Sequence, residues 1–169
     1  MYLAVDWSFG KICTGSRDHV IGIVVSSDTD VTILSKVFGY LLTSRKHFSD
    51  LDKYARHVRI LKFLHNIESI RGRVSSTQII SCIGVRGGVD LLKTLLGEVT
   101  VTNVVIDDTL SKRYLQYSNI MLLFSRKSVL VVEESRVRDW RLRLLINIAD
   151  HVVNIHRLVY CNQRIIRWV

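Results

Sequence analysis

The chain has 169 residues, 48% of them apolar, which excludes a disordered polymer. No uncharged apolar run reaches the roughly 18 residues of a membrane-spanning helix. Lys and Arg outnumber Asp and Glu by 24 to 15, and the formal net charge of +9 favours polyanionic partners, nucleic acid first and anionic lipid second. With no repeat or linker, residues 1–169 read as one domain.

Residues 2–6 (YLAVD) read as a buried strand ending on a carboxylate. Residues 1–10 carry Asp6 and no basic stretch, so a strand is expected there and no signal peptide. Residues 7–18, with Gly10 and Gly15, read as a turn, and the β-branched run 19–26 as a second strand. SDTD at 27–30 reads as a turn and 31–39 as a third strand, the three joined by short antiparallel connections.

A helix is expected over 50–71. Leu51, Tyr54, Val58, Leu61 and Leu64 or His65 would face the core, with Lys53, Arg56, Arg59 and Lys62 opposite. Ser49-Asp50 would cap it and Gly72 would stop it. Residues 77–84 read as a strand, and Gly87-Gly88 would open a helix ending at Gly97. GVRGG at 84–88 lacks the remainder of a P-loop and is read as a turn. The run 99–106 is the clearest strand and stops on Asp107-Asp108. A short helix or turn over 109–118, strands at 120–124 and 128–133, and an Arg-rich amphipathic helix over 135–164 complete the order. Val137, Trp140, Leu144, Ile148, Val152, Ile155 and Val159 would share the buried face of that helix. Its Arg136, Arg138, Arg141 and Arg143 read either as a solvated face or as a track for a nucleic-acid backbone.

Cys13, Cys82 and Cys161 form no C-x-x-C pair. An odd count without a signal peptide leads to the expectation of three free thiols in a reducing cytoplasm.

Three carboxylates stand out. Asp6 and Asp107 end apolar strands, and Asp150 sits inside the apolar helical stretch LLINIADHVVNI. A buried carboxylate needs an arginine, a set of hydrogen bonds or a cation. Parallel neighbouring strands would deliver Asp6 and Asp107 to one sheet edge, where α/β folds bind ligands, and a helix across that edge would deliver Asp150. Converging carboxylates suit Mg²⁺ or Mn²⁺, and a pair of such ions about 3.5–4 Å apart serves phosphodiester cleavage. Other readings stay open. Asp6 could cap a turn, Asp108 could replace Asp107 or cap residues 109–117, and Asp150 could pair with Arg143 or Arg157. His151 reads as a structural residue or a general base, and Glu133 and Glu134 as caps of the last helix.

VDWSFG at 5–10, VVIDD at 104–108, VVEESR at 131–136 and LINIADHVVNI at 145–155 resemble an uncharacterised family of ribonuclease-H-like proteins. That family opens with an Asp-Glu-Ser-Gly-type strand end, has a central strand ending in Asp, and closes with an apolar helix carrying Ala-Asp. The resemblance covers the two ends and one central strand. It implies an α/β fold: a mixed sheet of three antiparallel strands followed by parallel strands, flanked by helices. It also implies that Asp6, Asp107 and Asp150 hold divalent metal, with a fourth acid from the first long helix, for which Glu68 is the candidate. Trp7 departs from the pattern by replacing an acidic residue. The expected function is a metal-dependent nuclease acting on DNA or RNA with Mg²⁺ or Mn²⁺. The alternatives are a catalytically inactive module that binds nucleic acid or protein and, last, a phosphate-binding domain akin to the actin-like ATPases. Nucleic acid is the expected partner, with no membrane partner and with a homodimer as a further expectation.

Overall fold

Strand β1, Tyr2–Lys11, alternates its side chains between two buried faces and pairs antiparallel with β2, Arg17–Ser26, from Tyr2↔Ser26 out to Lys11↔Arg17. In a computed structural model describing residues 1–43, 47–108, 124 and 130–169, this hairpin forms the middle of a six-stranded mixed sheet. The expected turn at 7–18 is therefore mostly strand. Cross-strand stacking of His19 on Trp7 and Phe9, with centroids 4.9 and 4.5 Å apart, supports the pairing beyond the core, and the true turn sits around Gly15 at φ 90°.

The strand expected at 31–39 is instead helix α1, Asp28–Phe38. The Ser27 hydroxyl accepts the Asp30 N–H, Asp28 and Asp30 sit in the first turn, and Val31, Leu34 and Phe38 follow on one buried face. Local capping and helical spacing override the β-branched composition. A short helix, α2 (Tyr40–Thr43), and a 3-10 turn (Phe48–Asp50) lead to α3, Lys53–Ile70, capped by Asp52 rather than Ser49-Asp50.

The face of α3 also differs from expectation. Phe63, Asn66, Ile67 and Ile70 are buried, whereas Tyr54, Val58 and Leu61 are 79, 46 and 56% exposed. Two apolar stripes compete on this helix, and the one carrying Phe63 wins by packing on Phe38 of α1, 5.1 Å between rings.

The third antiparallel strand is β3, Gln78–Ile83, beside β2. Helix α4, Val85–Glu98, starts before Gly87-Gly88, and Gly88 packs its backbone against the Ile21 side chain. Strands β4, Asn103–Ile106, and β5, Leu130–Glu133, are parallel to β1. Strand β6, Ile165–Arg167, pairs antiparallel with β3, giving the order β5-β4-β1-β2-β3-β6. The helix or turn expected at 109–118 and the strand at 120–124 lie outside the described residues, except Phe124, which is helical and buried.

The last helix, α5, runs Trp140–Val159. Its Leu144, Ile148, Val152 and Ile155 are buried, while Trp140 and Val159 overhang at its ends, 41 and 46% exposed. One core joins α1, α3 and α5 to the face of the sheet carrying Tyr2, Ala4, Val24 and Val105. The other joins α4 to Leu3, Val5, Ile21 and Val104. The fold is thus mixed α/β, with three antiparallel strands followed by parallel ones and helices on both faces. Among the described residues no helix is long and apolar enough to cross a membrane.

Cys13 and Cys161 are joined in a disulfide that ties the hairpin turn to the end of α5, with Cα atoms 5.8 Å apart; Cys82 is free and buried. This corrects the expectation of three free thiols. The bond closes 148 residues of sequence. Reduction is expected to lower stability by about 2–4 kcal/mol, less than the chain-entropy ceiling of about 5 kcal/mol for so long a loop. Urea unfolding with and without dithiothreitol measures it.

Candidate active site

The parallel register sets a row of acids. Val5 of β1 faces Ile106 of β4, and Ile106 faces Glu133 of β5. One residue further on, the same row reads Asp6, Asp107 and Glu134. Pairing of β1 with β4 stops there, although β1 itself continues, so Asp6 lies within a strand rather than at its end. Alternation assigns the face. Ala4, Val105 and Val132 belong to the core under α5, and two residues on from each of them stand Asp6, Asp107 and Glu134. Trp7 packs toward the opposite, α4, face, so the acid it replaces would alternate away from Asp6.

Helix α5 brings the fourth carboxylate. Within its apolar surface Arg143, Asn147, Asp150 and Asn154 form a polar stripe at helical spacing, and all four line the cleft. The helix approaches the sheet at Gly22, which pairs with Asp6 across the hairpin. A Cβ on Gly22 would lie 2.7 Å from Val153 Cγ1 and 3.0 Å from the Ala149 carbonyl oxygen. The residue after Ala149 is Asp150. Gly22→Ala is expected to cost about 1–3 kcal/mol by overpacking and to displace Asp150. Urea denaturation of the variant checks the cost.

Asp6, Asp107, Asp108, Glu134 and Asp150 line one cleft of about 600 Å³, with His47 and Ser49 at its rim. The Trp7 N–H donates to Asp6 Oδ1 at 2.6 Å. Asp150 accepts the Phe48 N–H on Oδ2 at 3.2 Å and the Asn154 amide on Oδ1 at 2.8 Å. Asp108 accepts the Ser135 N–H at 3.1 Å; its expected capping of 109–117 lies outside the described residues. Among the described residues Asp150 forms no ion pair with arginine. Arg143 donates to the Val137 carbonyl, and Arg157 to Lys11 O and Asn154 Oδ1.

Burial, then repulsion from Asp150, Asp107 and Glu134, pushes the Asp6 carboxyl well above its ordinary range. Burial likewise lifts Asp150 to about 6, against the opposing Phe48 hydrogen bond and His47. Burial and Asp107 lift Glu134 to about 7. The cleft is short of positive charge. No three His, Cys, Asp or Glu side chains among the described residues stand close enough together to grip one ion as they are placed.

The other expected residues fall elsewhere. Glu68 is not in the cleft; it is 69% exposed beside the last turn of α3, paired with Arg71 at 3.0 Å. Glu134, read as a helix cap, is the acid found in the cleft instead. The repetition of an apolar run ending on two acids, VVIDD and VVEES, is the signal that could have found it. His151 is buried between Phe48 and Phe63, its Nδ1 on the Asn147 carbonyl, and burial drops it to about 4, so it stays neutral. The arginine run is mostly engaged locally: Arg136 with Glu133, and Arg141 with Asp28 and Asp139.

No protein-family model and no curated protein matches the chain. Among solved structures, it is similar over 93% of its length to 71% of a chain in the complex of PCNA with RNase HII from Archaeoglobus fulgidus, at 17% identity and a TM-score of 0.48. It is similar over 92% of its length to 72% of the ribonuclease H2 chain from Pyrococcus horikoshii OT3, at 10% identity and a TM-score of 0.46.

Proposed function

We propose that this protein is a divalent-metal-dependent nuclease in which Asp6, Asp107 and Asp150 hold Mg²⁺ or Mn²⁺ and Glu134, in place of Glu68, is the fourth acid. The observation that carries this reading is the register row Asp6, Asp107, Glu134 facing Asp150 across one cleft. Carboxylate oxygens are the donors hard cations take, and a cleft in which burial, and then neighbouring acids, raise Asp6, Asp150 and Glu134 gains most from a cation. Ions bound there supply Lewis acidity for phosphodiester hydrolysis. The chain's own groups orient the acids: the Trp7 N–H fixes Asp6, and the Phe48 N–H and Asn154 amide fix Asp150. Arg143 at the cleft offers a planar fork to a phosphate. Burial and Asp107 hold Glu134 near its midpoint at neutral pH in the metal-free cleft, where a bound cation would ionise it.

Nucleic acid, DNA or RNA, is the proposed substrate, supported by the net charge of +9. Nothing in the cleft calls for a second copy of the chain, since all four acids come from one. The expected cytoplasmic location rests on free thiols, and the bonded Cys13–Cys161 pair withdraws that ground.

Titrating Mg²⁺ or Mn²⁺ into the protein with labelled DNA and RNA tests the reading. Cleavage that needs the metal and disappears in Asp107→Asn is expected. Cleavage of no substrate, or cleavage unchanged in that variant, removes it. Salt-dependent binding without metal dependence would instead favour the non-catalytic module, a reading supported by the tendency of Asp6 to stay protonated.

A further inference from the structure

The apolar residues of α3 that the core leaves out lie in a basic setting. Tyr54, Val58 and Leu61 are exposed, and from Lys53 to Ile67 the helix carries no carboxylate while presenting Lys53, Arg56, Arg59 and Lys62. Tyr40 of α2 lies beside them, its ring 4.0 Å from Lys62 Nζ and 5.3 Å from the Arg59 guanidinium carbon. Together Tyr40, Tyr54, Val58, Arg59 and Lys62 line a groove of about 510 Å³. Tyr54 and Lys62 are eight residues apart, about 12 Å along the helix axis.

The helix that bears this groove is tied to the wall of the acid cleft. The Arg56 guanidinium donates to the Ser49 and Leu51 carbonyls at 3.2 and 3.0 Å and lies over the Phe48 ring. The Phe48 N–H is the group that holds Asp150, and Ser49 lines the cleft. The N-terminal end of α3 is thus anchored on the turn that holds Asp150.

We infer that the α2–α3 groove binds a single strand of nucleic acid, stacking a base on Tyr54 and taking phosphates on Arg59 and Lys62, and leads that strand toward the acid cleft. One exposed aromatic ring, Tyr54, among cations with no interspersed acid is what a flexible polyanion with open base faces needs. A duplex hides its base faces. A second copy docked here by two-fold symmetry would bring two such basic, acid-free faces together, which repel. The inference rests on the nuclease reading only for where the strand leads; binding itself needs no cleavage.

Fluorescence anisotropy of labelled oligothymidylate and oligouridylate, in EDTA so that nothing is cut, tests it. Single strands are expected to bind more tightly than the corresponding duplex. Tyr54→Ala is expected to weaken binding by about 10-fold with little change in its salt dependence. Arg59→Gln combined with Lys62→Gln is expected to reduce the slope of log K against log salt by about 1.4, roughly 0.7 for each phosphate no longer neutralised. Tyr54 is 79% exposed, so its replacement leaves the core intact. Wild-type affinity in these variants, absence of single-strand binding, binding to anionic vesicles in preference to oligonucleotides, or a dimer that Leu61→Glu dissociates would each overturn it. Variants that bind weakly in a protein that cuts nothing with Mn²⁺ would leave this inference standing and remove the nuclease. Metal-dependent cutting with unchanged binding would do the reverse.

Discussion

Asp6→Asn is expected to abolish metal-dependent cleavage while making the metal-free protein more stable at neutral pH. Asp6 is 6% exposed, and its carboxyl is pushed well up first by burial and then by three acids around it. In the unfolded chain the same group is ionised at neutral pH, so folding must either bury a charge or take up a proton. An amide of the same shape carries neither cost and can still accept the Trp7 N–H. A gain of about 2 kcal/mol is expected, in the range seen when buried charge is replaced by neutral groups of similar volume. The activity moves the other way. Loss of one oxygen donor from the cation site should exceed the roughly 10- to 100-fold that removing even an outer-shell partner costs. Urea unfolding and single-turnover cleavage, run on the same variant, read the two effects separately. A variant both less stable and fully active would show that Asp6 serves packing alone.

The second large effect is the pH dependence of stability without metal. Asp150 at about 6 and Glu134 at about 7 are both raised above their unfolded values. A raised acid contributes stability that is fully present below its unfolded pKa and lost as the pH rises through its folded one. The metal-free protein should therefore lose stability between about pH 4 and 7. For Asp150 alone the loss is at most about 3 kcal/mol, at 1.36 kcal/mol per unit, and solvent reaching its 20% exposed side chain reduces it. His151 has the opposite sign. Lowered to about 4 by burial, it resists protonation, so its contribution to stability falls as the pH drops below the unfolded value. Saturating Mn²⁺ favours the ionised acids and leaves His151 dominant. Stability should then rise with pH over the same window, a reversal of slope that denaturation at several pH values detects. Parallel profiles with and without Mn²⁺ would contradict the account.

The hairpin, the parallel strand into Asp107 and the helix bearing Asp150 were legible because each follows a strong local pattern: alternation, a β-branched run, or a long apolar stripe. Val31–Phe38 reads as a strand because it carries β-branched residues, although the Ser27 cap with Asp30 three residues on marks a helix start. On α3, Tyr54–Val58–Leu61 and Phe63–Ile67–Ile70 have the same helical spacing, and only the position of Phe38 decides between them. The disulfide depends on two residues 148 apart meeting through the sheet and α5, which no spacing encodes. Glu134 is hidden from the sequence because its place in the cleft comes from register. Until β5 is known to pair with β4 at Ile106↔Glu133, an acid after an apolar run reads equally well as a cap of the next helix.

A crystal soaked in Mn²⁺ puts the convergence of acids to the most direct test. Anomalous density bounded by the carboxyl groups of Asp6, Asp107 and Asp150, with Glu134 beside it, is the predicted result. An arginine side chain filling that space, or manganese bound only elsewhere on the molecule, would contradict it.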